Sequence, residues 1–297
     1  IMMNLEGKTV TEPADLNELC FEDKWILSKL NTVIRDVTDN MDKYELGIAV
    51  QKVYDFLWDE LCDWYIEMAK VRLWKADENP KAANDALWTL RTALTEGLKL
   101  LHPYMPFITE EIYCTLLPEE ESIMISDWPV FQEAWVFPEA EKAVESFKEA
   151  VRGIRNTRTE MNVPMNRKTH LYIVGKDADT CARYEACKKS FVNLAFAKEI
   201  HVQENKDGIG EDAVSVVVSD AVVYMPLEDL VDREKEMERL KKEQERLTKE
   251  IARCQGMLNN PNFVNKAPEA KVNAEKEKLQ KYEEMMEKVN VQLKQME

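Results

Sequence analysis

Histidine is almost missing from this 297-residue chain: there are three, at His102, His170 and His201. They are so scattered that no shared chemistry is assigned to them. Glycine is scarce too, with eight residues, while 45% of the chain is hydrophobic, enough to bury a real core. No apolar run reaches the length needed to span a membrane, and no signal peptide is visible. The six cysteines (Cys20, Cys62, Cys114, Cys181, Cys187, Cys254) show no C-x-x-C spacing. They read as reduced thiols of a cytosolic protein rather than a disulfide framework or a zinc site. There is no P-loop, no H-E-x-x-H and no G-x-S-x-G, so nucleotide, zinc-protease and serine-hydrolase chemistry have no motif to stand on.

A basic excess is also lacking. The net charge is −16, which excludes a wholly basic nucleic-acid protein. The charge is uneven, however. Residues 151–176 hold six Lys/Arg against Glu160 alone, and residues 231–297 hold 15 Lys/Arg against 14 Asp/Glu. A local basic patch on an acidic body suits a polyanionic partner that must also be released. The opening Ile1-Met2-Met3-Asn4-Leu5-Glu6-Gly7 reads as the tail of a helix stopped by glycine, which suggests a chain that starts inside a longer protein.

Length and pattern imply two or three domains. Residues 23–42 carry a helical stripe at Ile26, Leu27, Leu30, Ile34, Val37 and Met41. A long helix is predicted over 45–74, with Val50, Val53, Tyr54, Leu57, Leu61, Trp64, Met68 and Val71 as its apolar face. Asn79-Pro80 is a start signal for the next helix, with Asn as cap and Pro in the first turn. Pro103 and Pro106, three apart, mark a corner between two helices. Thr109 or a neighbour is expected to cap the second of these, with Glu110 and Glu111 in its acid-favouring first turn. Pro138 opens another helix, with Val144, Phe147, Val151 and Ile154 inward. These elements read as a helix bundle over 1–162.

The pattern changes near Pro164. Strands are expected at 171–174, 201–203, 214–218 and 221–225, the last two as a hairpin through Ser219-Asp220, with helix over 177–194. This is a small α/β module, 163–229. From Leu230 heptads appear. One seam runs Leu230, Met237, Leu240, Leu247, Ile251, Cys254, Leu258; the other runs Val272, Leu279, Tyr282, Met286, Val289, Leu293, Met296. Polar residues interrupt them at Arg233, Gln244 and Glu275. Residues 259–267, with Pro261, form a break. Region 230–297 is therefore expected to be an antiparallel coiled-coil hairpin, each arm roughly 40 Å long at 1.5 Å per residue. An intermolecular coiled coil is the alternative, but it would not need the break. The fold class is thus mainly α.

Several strings resemble one family. Leu101-His102-Pro103-Tyr104-Met105-Pro106-Phe107-Ile108-Thr109-Glu110-Glu111 is similar to the corner in the anticodon-binding bundle of class I aminoacyl-tRNA synthetases of the valine, isoleucine and leucine group. Ser126-Asp127-Trp128-Pro129 and Asp23-Lys24-Trp25-Ile26-Leu27-Ser28-Lys29-Leu30 match the same group. Phe56 to Lys70, Val151-Arg152-Gly153-Ile154-Arg155-Asn156 and Glu160-Met161-Asn162-Val163-Pro164 resemble its valine-specific branch. So does Leu258-Asn259-Asn260-Pro261-Asn262-Phe263-Val264-Asn265-Lys266-Ala267-Pro268, the tip of that branch's C-terminal coiled coil. Isoleucine enzymes often end in a cysteine-rich zinc module, which is absent. The family's His-Ile-Gly-His and Lys-Met-Ser-Lys-Ser signatures do not occur, nor does its editing domain.

The resemblance implies the tRNA-holding part of a ligase, with no catalytic residue, metal or cofactor in this piece and ATP used by the longer protein. It implies tRNA(Val) as partner, a monomer, a cytoplasmic location, and no membrane or DNA partner. The same region of an isoleucine or leucine enzyme, or a helical docking module without RNA, is the alternative. Phe56, Asp59, Asp63, Ile66, Glu67, Lys70 and Trp74 share the far side of the second helix. That side is either buried against a second neighbour or an anticodon face, for which Asp63, Ile66, Glu67 and Lys70 are the candidates. A carboxylate there can accept from a base amino group, and apolar neighbours can support an unstacked base. Arg152, Arg155, Arg158, Arg167 and Lys168 are the phosphate candidates, against the alternative of a solvated face with Lys148. Arg158 falls on the apolar arc, so either the helix ends before it or it finds a carboxylate or phosphate. On the arm, Lys249, Arg253, Lys266 and Lys271 could meet the outer corner of an L-shaped RNA, or simply solubilise the helices.

Overall fold

The computed structural model describes residues 10–230, 233–259 and 269–296. The chain folds into two compact units, one ending at Pro226 and one beginning at Leu227. The architecture is mainly helical with one small sheet. The expected division near residue 163 falls inside the first unit, where sheet and bundle pack together.

Helix α1 (Phe21–Asp42) is the axis of the first unit. Its expected stripe is buried from Ile26 to Val37 and half-buried at Met41, and Trp25, Ser28 and Asn31 are buried on other sides. The reason is its surroundings. It packs against α2 (Leu46–Asp55), α4 (Pro80–Leu101) and α6 (Pro138–Glu160), so little of its circumference is left to water. Each large apolar side chain buried in this way contributes about 1.5–3 kcal/mol. The polar residues on it find partners, as burial requires. Ser28 donates to Glu141 and accepts from the Phe137 N–H (3.1 Å). Asn31 exchanges two 2.7 Å hydrogen bonds with the backbone of Gln132. Trp128 donates its indole N–H to Thr38 (2.9 Å). These bonds stitch the irregular connection before α6 onto the central helix.

Helix α4 starts as the sequence predicts, with Asn79 accepting from the Ala82 N–H and Pro80 at its first position. The corner after it differs from expectation. Helix α5 (Pro106–Leu116) begins at the proline, with Met105 as cap residue and no side-chain cap. Thr109 lies inside the helix, fully buried, and donates to the Met105 carbonyl (2.8 Å) while meeting His102 Nδ1 at 2.7 Å. Proline at the first position removes one of the unpaired N–H groups of the first turn, and no side chain caps the others. Glu110 and Glu111 fall one turn later, and Glu110 instead accepts from Ser122 and from the Ile123 N–H.

The sheet follows the expected strands closely: β1 (Thr169–Gly175), β2 (Ala197–Gln203), β3 (Val214–Val217) and β4 (Ala221–Met225), in the order β2-β1-β4-β3. The parallel pair β1–β2 is joined through two short helices, α7 (Ala178–Ala186) and α8 (Lys188–Leu194), rather than one over 177–194. Strands β3 and β4 form the expected hairpin. In β1, Thr169, Leu171, Ile173 and Gly175 are buried while His170, Tyr172 and Val174 are half-exposed, so one face is covered and the other partly so. Gly153 shows how closely the sheet sits on α6. A Cβ there would come within 2.5 Å of the Val216 side chain on β3, so any side chain would force the two elements or Val216 to shift.

The second unit holds a short turn of helix α9 (Leu227–Leu230) and two long helices, α10 (Arg233–Leu258) and α11 (Glu269–Met296). The long helices run antiparallel: Gln244 donates to Asn290 (2.7 Å) at one level, and Cys254 to Glu275 (3.3 Å) at another. Leu247, Cys254, Val272 and Val289 are the buried seam, with Tyr282, Met285 and Met286 packed on it. The expected seam side chains of Met237, Leu240, Leu293 and Met296 lie outside the described ones, as does the break around Pro261. The N-terminal reading at 1–7 also falls outside the described residues.

Candidate nucleic-acid interface

The long helix expected over 45–74 is a run of three stretches: α2, then a π-helical stretch (Phe56–Tyr65), then α3 (Ile66–Trp74). In the middle stretch the hydrogen bonds reach back five residues, as from the Ile66 N–H to the Leu61 carbonyl. The buried positions record this. They step 49, 53, 56, then 61, a gap of five where an α-helix would step three or four. Phe56, expected on the far side, is therefore in the core, and Tyr54, expected in the stripe, is exposed and stacked on Trp58 (6.3 Å, 10°). Gly97 on α4 makes room for the widened helix, since a Cβ there would lie 2.6 Å from Leu57. Stretches of π-helix are rare, and they occur often at functional sites.

The widened turns swing a row of carboxylates toward α6. Asp59, Glu60 and Asp63, with the rim of Trp64, form one wall of a groove of about 590 Å³; Lys148, Arg152 and Arg155 form the other. The floor is built from large rings. Trp64 is nearly buried and meets Phe147 edge-on (6.3 Å, 78°), and Phe147 meets Phe191 of α8 in the same way (4.6 Å, 78°). The groove thus rests on packed core, which fixes its shape.

The cations of α6 differ sharply from one another. Lys148 is not part of a solvated face. It is buried, with its ammonium over the rings of Trp25 (5.0 Å) and Trp64 (5.5 Å) and paired with Glu60 (2.6 Å) and Glu145 (3.4 Å). Arg152 is exposed, its guanidinium 5.2 Å from the Trp64 ring on the groove side. Arg155 is exposed too and donates to the Leu194 carbonyl (2.8 Å). Its guanidinium is partly shielded from water, which pushes it below its ordinary pKa, and the nearby Glu67 carboxylate opposes that shift.

Arg158 corrects a sequence expectation. The helix continues past it to Glu160, and the side chain is 4% exposed. Among the described residues it meets no carboxylate. It donates to the backbone carbonyls of Pro164 (3.2 Å) and Arg167 (2.6 Å) and lies over the Phe196 ring at 5.2 Å. The chain turns out of α6 around this guanidinium, so Arg158 is a structural residue. Arg167 and Lys168 lie where that turn enters β1; Arg167 is half-buried and Lys168 exposed.

Of the four candidates on the long helix, Asp63 lines the groove. Ile66 is half-buried on the next turn, and Glu67 and Lys70 pair with each other there. Sequence reasoning missed Glu60 and the use of Trp64 as a ring between two cations. A tryptophan in an apolar stripe, one turn from three carboxylates, was the available signal. On the arm, Lys249 and Lys271 are exposed, while Arg253 pairs with Glu250 (2.9 Å) and approaches Glu275 (3.6 Å). Lys266 lies outside the described residues. Among those residues no helix is long and apolar enough to cross a membrane.

The groove is the meeting point of three motifs, Phe56 to Lys70, Val151 to Asn156 and, through Trp25, Asp23 to Leu30. Residues 23–173 match the model of the anticodon-binding domain of tRNA ligase. The chain belongs to that family. Residues 232–297 match a second model, the valyl tRNA synthetase tRNA binding arm. Among similar proteins are valine–tRNA ligases from Clostridium tetani (49% identical over 294 residues), Clostridium perfringens (47% over 296) and Bacillus cereus (38% over 297). These matches cover 99%, 97% and 100% of this chain and 33%, 32% and 33% of the relatives. The chain spans about a third of the length of the curated relatives it matches.

Proposed function

We propose that this chain holds tRNA(Val) by its anticodon and by its elbow, as the RNA-binding part of a valine–tRNA ligase. In this reading the longer protein attaches valine with ATP, works as a monomer in the cytoplasm, and places neither catalytic nor editing chemistry in this region. One observation carries it: the groove between the π-helical stretch and α6, where carboxylates face guanidiniums across a tryptophan. An unstacked base needs both kinds of group. Asp59 and Asp63 can accept from exocyclic amines on base edges, while Arg152 and Arg155 can donate to phosphate oxygens. The arm supports the same reading through its exposed cations, Lys249 and Lys271, on a stiff two-helix rod.

The test is the salt dependence of tRNA binding. Arg152→Ala with Arg155→Ala and Arg167→Ala should weaken binding across tRNA sequences and flatten the slope of log affinity against log salt by about one unit per lost contact. Arg158→Ala should lower stability while leaving the slope alone. An unchanged slope in the triple variant would remove the groove from the RNA path. A second reading, a helical docking module, is favoured by the corner of the bundle. There Phe107 and Tyr44 are 91% and 88% exposed, and Tyr104 donates to the Leu46 carbonyl (3.2 Å), holding the two turns together.

A further inference from the structure

The face of the sheet turned away from α6 carries a row of rings, of which Tyr224 is buried and Tyr172 and His201 are half-exposed. Cross-strand partners point to the same face, and the register aligns His201 of β2 with Tyr172 of β1, Tyr172 with Tyr224 of β4, and Tyr224 with Ser215 of β3. The Tyr172 and His201 rings are stacked, 4.9 Å apart and 19° from parallel. Among the described residues strand β2 is an edge of the sheet, with no strand beyond His201, and the His201 side chain is 42% exposed. At the other end of the row the Lys206 ammonium lies 5.1 Å from the Tyr224 ring. Next to the stacked pair, the Glu199 carboxylate lies 4.0 Å from Nε2 of both His170 and His201.

We infer that this face is a second RNA contact, taking one or two unpaired bases stacked against His201 and Tyr172. Every base has a π-face, and a half-exposed pair of stacked rings at a sheet edge is a surface on which a base stacks without sequence readout. Charge complementarity favours RNA over an acidic or neutral protein surface. Residues 163–206, which contain β1 and β2, hold eight Lys/Arg against five Asp/Glu in a chain of net charge −16. Exposed Lys168 and Lys198 lie at the starts of the two strands. Glu199 would repel a phosphate placed over the rings, but it can accept from a base amino group. The occupant is therefore a base lying on the rings, with its backbone toward the lysines.

This inference rests on the reading that the chain binds tRNA, and the test separates the two. The chain has only three histidines, so selective labelling of histidine gives three imidazole signals, and His102 on the bundle corner serves as a control. Two probes would be added to the whole chain: a tRNA transcript with a valine anticodon, and an eight-nucleotide unstructured RNA. The His201 and His170 signals should move saturably with both probes while His102 stays. Tyr172→Leu should weaken tRNA binding about five- to tenfold, and Tyr172→Phe, which keeps the ring, should not. Both tyrosine variants would first be checked for an unchanged melt. If tRNA binds and the groove variants weaken it, yet the histidine signals stay still and Tyr172→Leu binds within twofold of the parent, the sheet face is not an RNA contact. If tRNA does not bind at all, the proposed function fails together with this inference.

Discussion

The two units use charged side chains in opposite ways. In the first unit, cations and carboxylates are built into the core. Asp23 is fully buried and accepts from Tyr65 (2.6 Å) and from both terminal nitrogens of Arg72 (2.5 and 2.6 Å); Lys148 sits under two tryptophans; Arg158 anchors a turn. Among the described side chains of the second unit, charge lies outside a single narrow seam except at Glu275, and the polar groups within it, Gln244 and Glu275, each meet a partner on the facing helix. The difference follows from the number of neighbours. A helix surrounded on three sides must bury part of its polar face, whereas a helix with one partner need not. It teaches that a cation on a helix is a candidate for phosphate only once its neighbours are known.

The largest expected effect breaks the comparison at its strongest point. Asp23→Ala would leave Arg72 and the Tyr65 hydroxyl without their acceptor in a buried site. The loss should be about 3–5 kcal/mol, which for a unit of this size is a fall in melting temperature of about 10 °C. Replacing both charges, Asp23→Leu with Arg72→Met, should recover much of it, because the cost comes from the stranded charge. The matching change on the arm, Arg253→Ala, should leave the melt of the first unit where it was. Urea melts followed by tryptophan fluorescence would decide, since all seven tryptophans precede residue 136.

A smaller effect concerns pH. Asp220, in the β3–β4 turn, accepts from Ser146 of α6 (2.7 Å) and from Tyr184 (2.9 Å) and Arg183 (3.2 Å) of α7. Burial pushes its carboxyl up, but these hydrogen bonds and the guanidinium charge outweigh burial and hold its pKa below the ordinary value. A carboxyl depressed in the folded state stabilises fully above its unfolded pKa, about 3.9. That contribution is lost as pH falls below 4 through the folded value. The sheet should therefore loosen from the bundle in acid before the bundle melts. Each hydrogen bond to a charged group is worth about 1.5–3 kcal/mol. Asp220→Asn should lower stability at pH 7 and flatten its decline between pH 4 and 2. An unaltered acid profile in that variant would show that other carboxylates set it.

The sequence made the elements legible and the polar contacts less so. The stripes of α1 and α6, the Asn79-Pro80 start, the β3–β4 hairpin and the two seams of the arm were all readable because each depends on local period. The π-helical stretch was not. It depends on how Leu57 meets Gly97 on another helix, and a wheel drawn at an α-helical period misplaces Phe56 and Tyr54. Lys148 and Arg158 were unreadable for a related reason. Their long stems and flat or compact heads can lie on tryptophan and phenylalanine rings that come from distant parts of the chain. In the groove, Asp63, Arg152 and Arg155 were named from sequence. Glu60 and Trp64 were found only when the widened helix turned them toward α6.

The smallest expected effect on the first unit, and the sharpest on function, comes from cutting the chain after Leu230. The first unit closes its core with residues before Pro226, and the long helices close their seam on each other. The shortened chain should therefore keep the cooperative melt of the bundle, with its midpoint moved by less than about 0.5 kcal/mol. Binding should respond differently. Two contacts on one rigid ligand reinforce each other, since holding the first end raises the effective concentration of the second. Losing the arm should then weaken tRNA binding about tenfold, at one fixed salt concentration, with no change in the preference among anticodons. A second cut, removing the same helices from a chain that already carries Arg152→Ala and Arg155→Ala, distinguishes reinforcement from simple addition. Under reinforcement, the arm contributes less once the groove no longer holds the RNA. Equal affinity with and without the arm would assign the two helices to a partner other than RNA.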